Sequence, residues 1–592
     1  MAGSRGWLLG LSVTLVLLLT VACAAQPVAA YTSQKSIILP LLAVGENEKG
    51  VVIETLVKLL YPGKGLVAVS PSMTVARDTA DSARVGFYYA AIESMHDPLS
   101  FDASIHFETS RELSGPSASG FIATALLLLF RGLSLAHNVS MTGMVNPNGL
   151  LLPIAGLKAK LEAAKEHGYT LVVVPLTLNP RMNPSVPGVE KVQVCMVDEA
   201  ASVMASTTKS LFYPPPSLNL SWVRGVEEGF APAAKHLQEL ARRVADLLPK
   251  EMRRAPLRLV QDSEKLLKEG YPYAAASLAF AALYNASMTF INTGGVPGRL
   301  WAILGTPQQA RAEAAKAVEE ARDRFASARM IGVWGFEALA MAEARLYVSE
   351  ALAFKTSTVD QVYSVLRALT AEAWARMASP DLGPKIPREA VVKAVHAALV
   401  YADAAKKYTM DLFGQSFKIY GFIPADTWMK EAERAYTQGL YARAYGLAAT
   451  LVAESSMWLA GGFMREDINA FYTCSRQAAY LHNYWLSMVA GDPSFVSTVL
   501  IRYLNKAGKT LGTGTAIALY NEAAAYALLD KLFYIYSTAV TKPATSMRIV
   551  ETDSLLLAAV AAALVTAVTM YAGYWAVAGR REVFVVEGGE SD

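Results

Sequence analysis

The chain has 592 residues, 53% of them hydrophobic and 18% charged, with a formal net charge of +3. That length exceeds one ordinary core, so two or more domains are expected. The nearly balanced charge leaves no basic footprint and excludes nucleic acid as an expected partner, while the apolar excess implies membrane attachment or a large alanine-rich helical part. The N-terminus carries Arg5, an apolar run over 7–21, then small residues to Val28-Ala29-Ala30. Basic flank, short apolar core and small-x-small site make a secretory signal peptide over 1–30, cut after Ala30 or else after Ala25.

Residues 36–44, 50–60 and 65–70 read as strands, with Pro62-Gly63-Lys64-Gly65 a turn between the last two. Residues 74–93 have helical spacing, with Ala76, Ala80, Ala83 and Phe87 as inward positions. A short strand over 104–107 carries His106 and leads into Leu113-Ser114-Gly115-Pro116-Ser117-Ala118-Ser119-Gly120. There a glycine-proline turn delivers Ser117, and the apolar run 121–130 follows at once as a buried helix. The Ser117 hydroxyl is therefore expected at or near a helix N-terminus, where free N–H groups favour negative charge and could hold an oxyanion. After it come a strand over 139–142, the turn Asn146-Pro147-Asn148-Gly149, a return over 150–153, and a helix over 157–167 entered at Gly156 and capped by Gly168. Residues 170–175 form a continuous apolar strand of the kind buried on both faces. Alternating strands and helices make residues 31–212 an α/β or α+β domain, with α+β the class expected.

The candidate partner of Ser117 is Lys160, in Ala155-Gly156-Leu157-Lys158-Ala159-Lys160-Leu161. An amine held among Leu, Ile and Ala loses hydration, so its pKa falls and it can serve as a base. Serine with a lysine base is an established form of nucleophilic catalysis. Lys158 lies two helical positions away and faces about 200° round, so both lysines cannot point at Ser117.

Gly115-Pro116-Ser117-Ala118, then Met141-Thr142-Gly143, then the run from Leu152-Pro153-Ile154 through Lys160-Leu161-Glu162-Ala163-Ala164, resembles the proteolytic domain of Lon proteases in order, spacing and residue type. Ser117 and Lys160 stand 43 positions apart, as the family's serine and lysine do. The resemblance covers residues 35–210 and is similar to the secreted or membrane-anchored archaeal type, without the ATPase module. It implies Ser117 as nucleophile, Lys160 rather than Lys158 as general base, and Thr142 as a hydroxyl that helps hold the lysine. Gly115 and Ala118 would support the nucleophile turn, and His106 would lie beside the site. Two positions depart from the family: Ser114 stands where an acid is usual, and Met144 where glutamate is usual.

Pro214-Pro215-Pro216 marks a linker over 213–229, and residues 230–550 are rich in Ala, Leu, Glu, Lys and Arg at helical spacing. Thr306-Pro307-Gln308-Gln309 is a helix start with a cap, a first-turn proline and a capping-box glutamine. Two segments starting at Gly270 and Gly439 resemble each other and tetratricopeptide hairpins, so an all-α bundle or TPR-like domain is expected. Gly508-Lys509-Thr510 fails as a phosphate loop, because the required upstream glycine is Tyr503, and reads as a linker turn. Seven scattered histidines and no paired Cys-x-x-Cys leave no metal and no cofactor expected.

Residues 555–578 are apolar and uncharged, with Tyr571, Tyr574 and Trp575 near one end and Arg580 and Arg581 just beyond. This reads as a transmembrane helix over 554–579 with a cytoplasmic tail over 580–592, so the bulk of the chain would lie outside the cell membrane. Once the signal peptide is removed only Cys195 and Cys474 remain, and their separation gives no reason to expect a pair. The combined expectation is a single-pass, membrane-tethered, ATP-independent serine endopeptidase acting on unfolded or membrane-proximal polypeptides, with ring assembly as a possible oligomer. The alternative is a non-catalytic Lon-like scaffold beside a helical protein-binding module.

Overall fold

The computed structural model describes residues 33–45, 48–205, 218 and 220–541. The expected signal peptide, membrane span and cytoplasmic tail, and the Pro214-Pro215-Pro216 run, lie outside the described residues. The first described feature is a long hairpin, β1 (Ser33–Val44) and β2 (Gly50–Tyr61), paired antiparallel from Ser33↔Tyr61 to Val44↔Gly50. Along β2 the buried Thr55, Val57 and Leu59 alternate with more exposed neighbours, the two-residue period of a strand. Leu39, Leu41 and Leu42 of β1 are all buried, because this strand is covered on both faces.

Five more strands extend the sheet: β3 (Val67–Ser70), β4 (Asp102–Phe107), β5 (Val139–Met141), β8 (Leu171–Pro175) and β9 (Glu190–Val194), in the order β3-β4-β2-β1-β5-β8-β9. The β1–β2 and β2–β4 pairs are antiparallel and the other four parallel. A separate small hairpin joins β6 (Met144–Val145) to β7 (Leu151–Leu152). Four helices flank these strands: α1 (Arg77–Glu93), α2 (Ser119–Arg131), α3 (Leu157–Glu166) and α4 (Val197–Met204). Leu161 and Ala164 of α3 pack with Leu42, Val172 and Val174 on one face of the sheet. The opposite face carries Leu41 and its partner Met141, whose sulfur takes the Thr124 hydroxyl of α2 at 3.5 Å. This is an α/β sheet domain, where the sequence reading favours α+β: most of the strand pairs are parallel and helices cover both faces.

The described remainder is mostly helical. The Thr306 capping box is formed, Gln309 N donating to Thr306 Oγ1 at 3.3 Å and Thr306 N to Gln309 Oε1 at 3.0 Å. Gly270 and Gly439, at φ +78° and +76°, each turn one helix into the next, between Arg254–Lys268 and Pro272–Asn292 and between Ala425–Thr437 and Tyr441–Ala490. Pro272–Asn292 is the one described helix long and apolar enough to cross a membrane; its Ala275, Ala279, Leu283 and Ala286 are buried among other helices. The Gly508-Lys509-Thr510 segment is a correction to the expected turn, for it lies within the helix Phe495–Leu511. Val499, Tyr503 and Ala507 are buried at steps of four, and that packing carries the helix through a glycine costing only about 1 kcal/mol.

The helical part closes directly on the sheet domain. The turn Asn146-Pro147-Asn148-Gly149 forms, with Gly149 N bonded to Asn146 O at 2.8 Å, but it is buried. Asn146 Nδ2 donates to Ser456 O at 3.0 Å, Tyr401 Oη to Pro147 O, and Asn148 Nδ2 to Asn521 Oδ1; His482 Nε2 stands 2.9 Å from Asn148 O. Lys531 Nζ pairs with the buried Glu93 of α1 at 2.6 Å. The helix Tyr441–Ala490 leaves helical geometry at Asp467, whose carboxylate accepts from Thr177 Oγ1 at 2.8 Å and Asn179 N at 3.0 Å. This packing also decides the pairing that the sequence leaves open. Cys195 and Cys474 are disulfide-bonded across a sequence separation of 279, because the β9–α4 junction and the long helix bring their Cα atoms to 5.1 Å.

Candidate active site

The nucleophile turn is held from two sides. On one, residues 74–76 lie alongside Leu113, with Leu113 N bonded to Thr74 O and Ala76 N to Leu113 O. The first turn of α1 then grips Gly115: its N–H donates to both carboxylate oxygens of Asp78, at 3.1 and 3.3 Å, and its carbonyl accepts from Thr79 Oγ1 at 3.1 Å. Gly115 has φ +96°, a conformation a side chain would strain, which is why glycine precedes the proline. Pro116–Ala118 form one 3-10 turn running straight into α2. Ser117 is therefore in the turn that caps α2 rather than inside the helix.

On the other side the turn is tied to the strands. Gly143 N donates to Ser117 O at 3.0 Å, and Gly120 N to Gly143 O at 2.9 Å. A Cβ on Gly120 would stand 2.7 Å from Gly143 O and 2.8 Å from Leu151 Cδ2, so this approach requires glycine. Ser119 Oγ donates to Pro116 O at 2.6 Å and accepts from Val145 N at 2.9 Å, joining the turn to β6.

Lys160 projects from α3 into this corner and is 3% exposed. Its Nζ stands 2.9 Å from Ser117 Oγ and 3.3 Å from Thr142 Oγ1. Both partners are neutral hydroxyls, and among the described residues no carboxylate is in ion-pair contact with the amine. Burial, unopposed by any charge, lowers its pKa from 10.5 to about 8. Lys158, two positions earlier, is 70% exposed and 3.9 Å from Glu162. A lysine amine that can shed its proton near neutrality beside a serine hydroxyl can deprotonate that hydroxyl.

The structure thus brings Ser117, Lys160 and Thr142 together, with Gly115 and Ala118 in the same turn. Among the described residues His106 makes no hydrogen bond or ion pair with any of these. His106 Nδ1 lies 2.9 Å from Ser70 Oγ and its Nε2 3.4 Å from Glu108 Oε1, both on the β3–β4 side of the sheet. Asp78 is not among the residues the sequence points to: the position just before Ser117 where an acid is usual holds Ser114. Its one sequence signal is an acidic residue in the first turn of a helix. Among the described residues no group of three or more His, Cys, Asp or Glu side chains could hold a metal ion.

Fold and site together define a mixed-sheet domain with a serine–lysine pair at the head of a buried helix. Residues 52–209 match the family model of the Lon protease (S16) C-terminal proteolytic domain. The chain is 32% identical over 119 residues to the Lon protease of Anaeromyxobacter dehalogenans, covering 19% of this chain and 14% of that one. It is 34% identical over 125 residues to the Lon protease of Orientia tsutsugamushi, covering 20% and 15%, and 38% over 102 residues to the human mitochondrial Lon protease homolog, covering 16% and 11%. The Lon resemblance read from the three motifs holds for this domain, and the chain spans only 11% to 15% of the length of these relatives.

Proposed function

We propose that this chain is a serine endopeptidase of Lon type. Neutral Lys160 Nζ takes the proton of Ser117 Oγ as that oxygen bonds to a peptide carbonyl carbon. The oxyanion lies against backbone N–H of the Ser117 turn, since the Ser119 and Gly120 N–H groups are already given to Pro116 O and Gly143 O. The C–N bond then breaks, the leaving amine takes the proton from Lys160, and water activated by the same amine releases the acyl group. Thr142 holds the amine on course. The observation that carries this reading is the 2.9 Å approach of Lys160 Nζ to Ser117 Oγ in a corner with no charge to hold an ammonium.

The same reading places the catalytic part outside the cell, tethered by residues 554–579, with unfolded or membrane-proximal polypeptides as substrates and a ring as the assembly. The signal-like N-terminus, the arginines after the apolar stretch, and the Cys195–Cys474 disulfide, a bond that persists in oxidising compartments, support it. Cleavage there proceeds without ATP. The test is incubation of the purified chain with an unfolded protein in the absence of nucleotide. Cleavage is expected for the wild type and none for Ser117→Ala. A serine-directed inhibitor should mark Ser117 by mass spectrometry and fail to do so in Lys160→Ala. No cleavage and no adduct in the wild type would leave a non-catalytic scaffold.

A further inference from the structure

Between the helices of the C-terminal part, away from Ser117, lies a cavity of about 580 Å³. That volume is in the range that encloses drug-sized molecules, about 300–1,000 Å³. Aromatic and aliphatic side chains make most of its wall, among them Phe280 and Trp374. Four charged side chains also line it: Arg345, Arg367, Glu454 and Glu522. Among the described residues none of the four is in ion-pair contact with another or with any other charge. The guanidinium of Arg345 lies 5.3 Å over Trp374 and that of Arg367 4.5 Å over Tyr420, and each leaves its buried Nε–H without an acceptor. The two carboxyls lie close enough to repel, and burial together with Glu522 pushes Glu454 up to about 7.

Opposite charges that share an apolar enclosure ordinarily close into ion pairs, since the attraction strengthens as water is excluded. Here the cavity keeps them apart. Its complement is a molecule carrying both signs on an apolar body: an anion for the two arginines, a cation for the two glutamates, and bulk for the aromatic wall. We propose that this cavity binds short apolar peptides with both termini free, the α-carboxylate taken by Arg345 and Arg367 and the α-ammonium by Glu454 and Glu522. On the same wall the Thr370 and Thr450 hydroxyls, whose protons go to carbonyls of their own helices, can accept from the N–H groups of such a peptide, and the Asn285 amide can donate or accept, contacts a fatty acid would leave unused. Binding here does not require the Ser117–Lys160 pair to be catalytic.

The test uses the full chain carrying Ser117→Ala, so that peptide is not consumed and failure of the proteolytic reading does not touch the result. Calorimetric titration with the tripeptide Phe-Leu-Phe is compared with its N-acetyl form, its C-terminal amide, free phenylalanine and laurate. The free tripeptide is expected to bind, and each cap to weaken it at least tenfold. Arg345→Gln should weaken the free peptide while abolishing the penalty of the amide cap, and Glu522→Gln should do the same for the acetyl cap. Arg345→Lys, which keeps the charge, should retain the amide penalty and controls for misfolding. Capped and free peptides binding alike, laurate or phenylalanine binding in preference to the tripeptide, or no binding of the tripeptide would each overturn the proposal.

Discussion

The proton affinity of Lys160 decides whether Ser117 can react, and it can be titrated. With a pKa of about 8, about one amine in eleven is free base at pH 7 and about half at pH 8; at 10.5 it would be about one in three thousand at pH 7. Burial alone thus raises the supply of free base about 290-fold at neutral pH. The assay is the rate of covalent labelling of Ser117 by a serine-directed reagent, followed by mass spectrometry from about pH 6 to 10. The rate should climb about tenfold per pH unit below 8 and level off above it, and Lys160→Arg should abolish it, because a guanidinium keeps its proton.

The same shift carries a stability cost with a definite sign. Between about 8 and 10.5 the folded chain binds fewer protons at this amine than the unfolded chain, so stability rises with pH across that window. Below it, burying the amine costs about 3 kcal/mol. Lys160→Met should therefore raise the unfolding midpoint at pH 7 while eliminating labelling. A labelling midpoint near 10.5, or a Lys160→Met protein no more stable than wild type, would refute the reasoning.

Three further outcomes can be measured. Reduction of the disulfide, or Cys474→Ser, should lower the thermal midpoint clearly, since closing a loop of 279 residues contributes up to about 5 kcal/mol in the chain-entropy account; an unchanged midpoint would contradict it. Gly120→Ala should destabilise by about 1–3 kcal/mol and suppress labelling of Ser117, because the added methyl must displace Gly143 O or Leu151; thermal unfolding and labelling of one preparation check both. Asp78→Ala frees the Gly115 N–H and should slow labelling by about 10- to 100-fold through loss of placement. Its pH midpoint should stay near 8, because Asp78 positions the turn and does not touch the amine.

Much of the fold was legible because its signals are local. The hairpin strands, the Gly115-Pro116 turn, the Thr306 capping box and the glycine corners at 270 and 439 each depend on residues within a few positions of one another. Gly508-Lys509-Thr510 was misread for the same reason in reverse: its composition says turn, while burial of Tyr503 and Ala507 against distant helices says helix. Asp78 escaped notice because its partner, Gly115, is 37 positions away. The disulfide escaped notice because nothing local distinguishes two bonded cysteines from two free ones.

By itself, the sequence determined where the chain turns, which residues carry reactive groups, and that Lys158 and Lys160 must face different ways on one helix. The tertiary structure alone decided which of those amines is stripped of water, which acid grips the nucleophile turn, and which charged groups are left apart around the interior cavity. Backbone preference and side-chain periodicity act over a turn or two of chain and are written in neighbouring letters. Desolvation and charge pairing depend on what surrounds an atom in space, and here those surroundings come from segments as distant as Asn148 and Asn521.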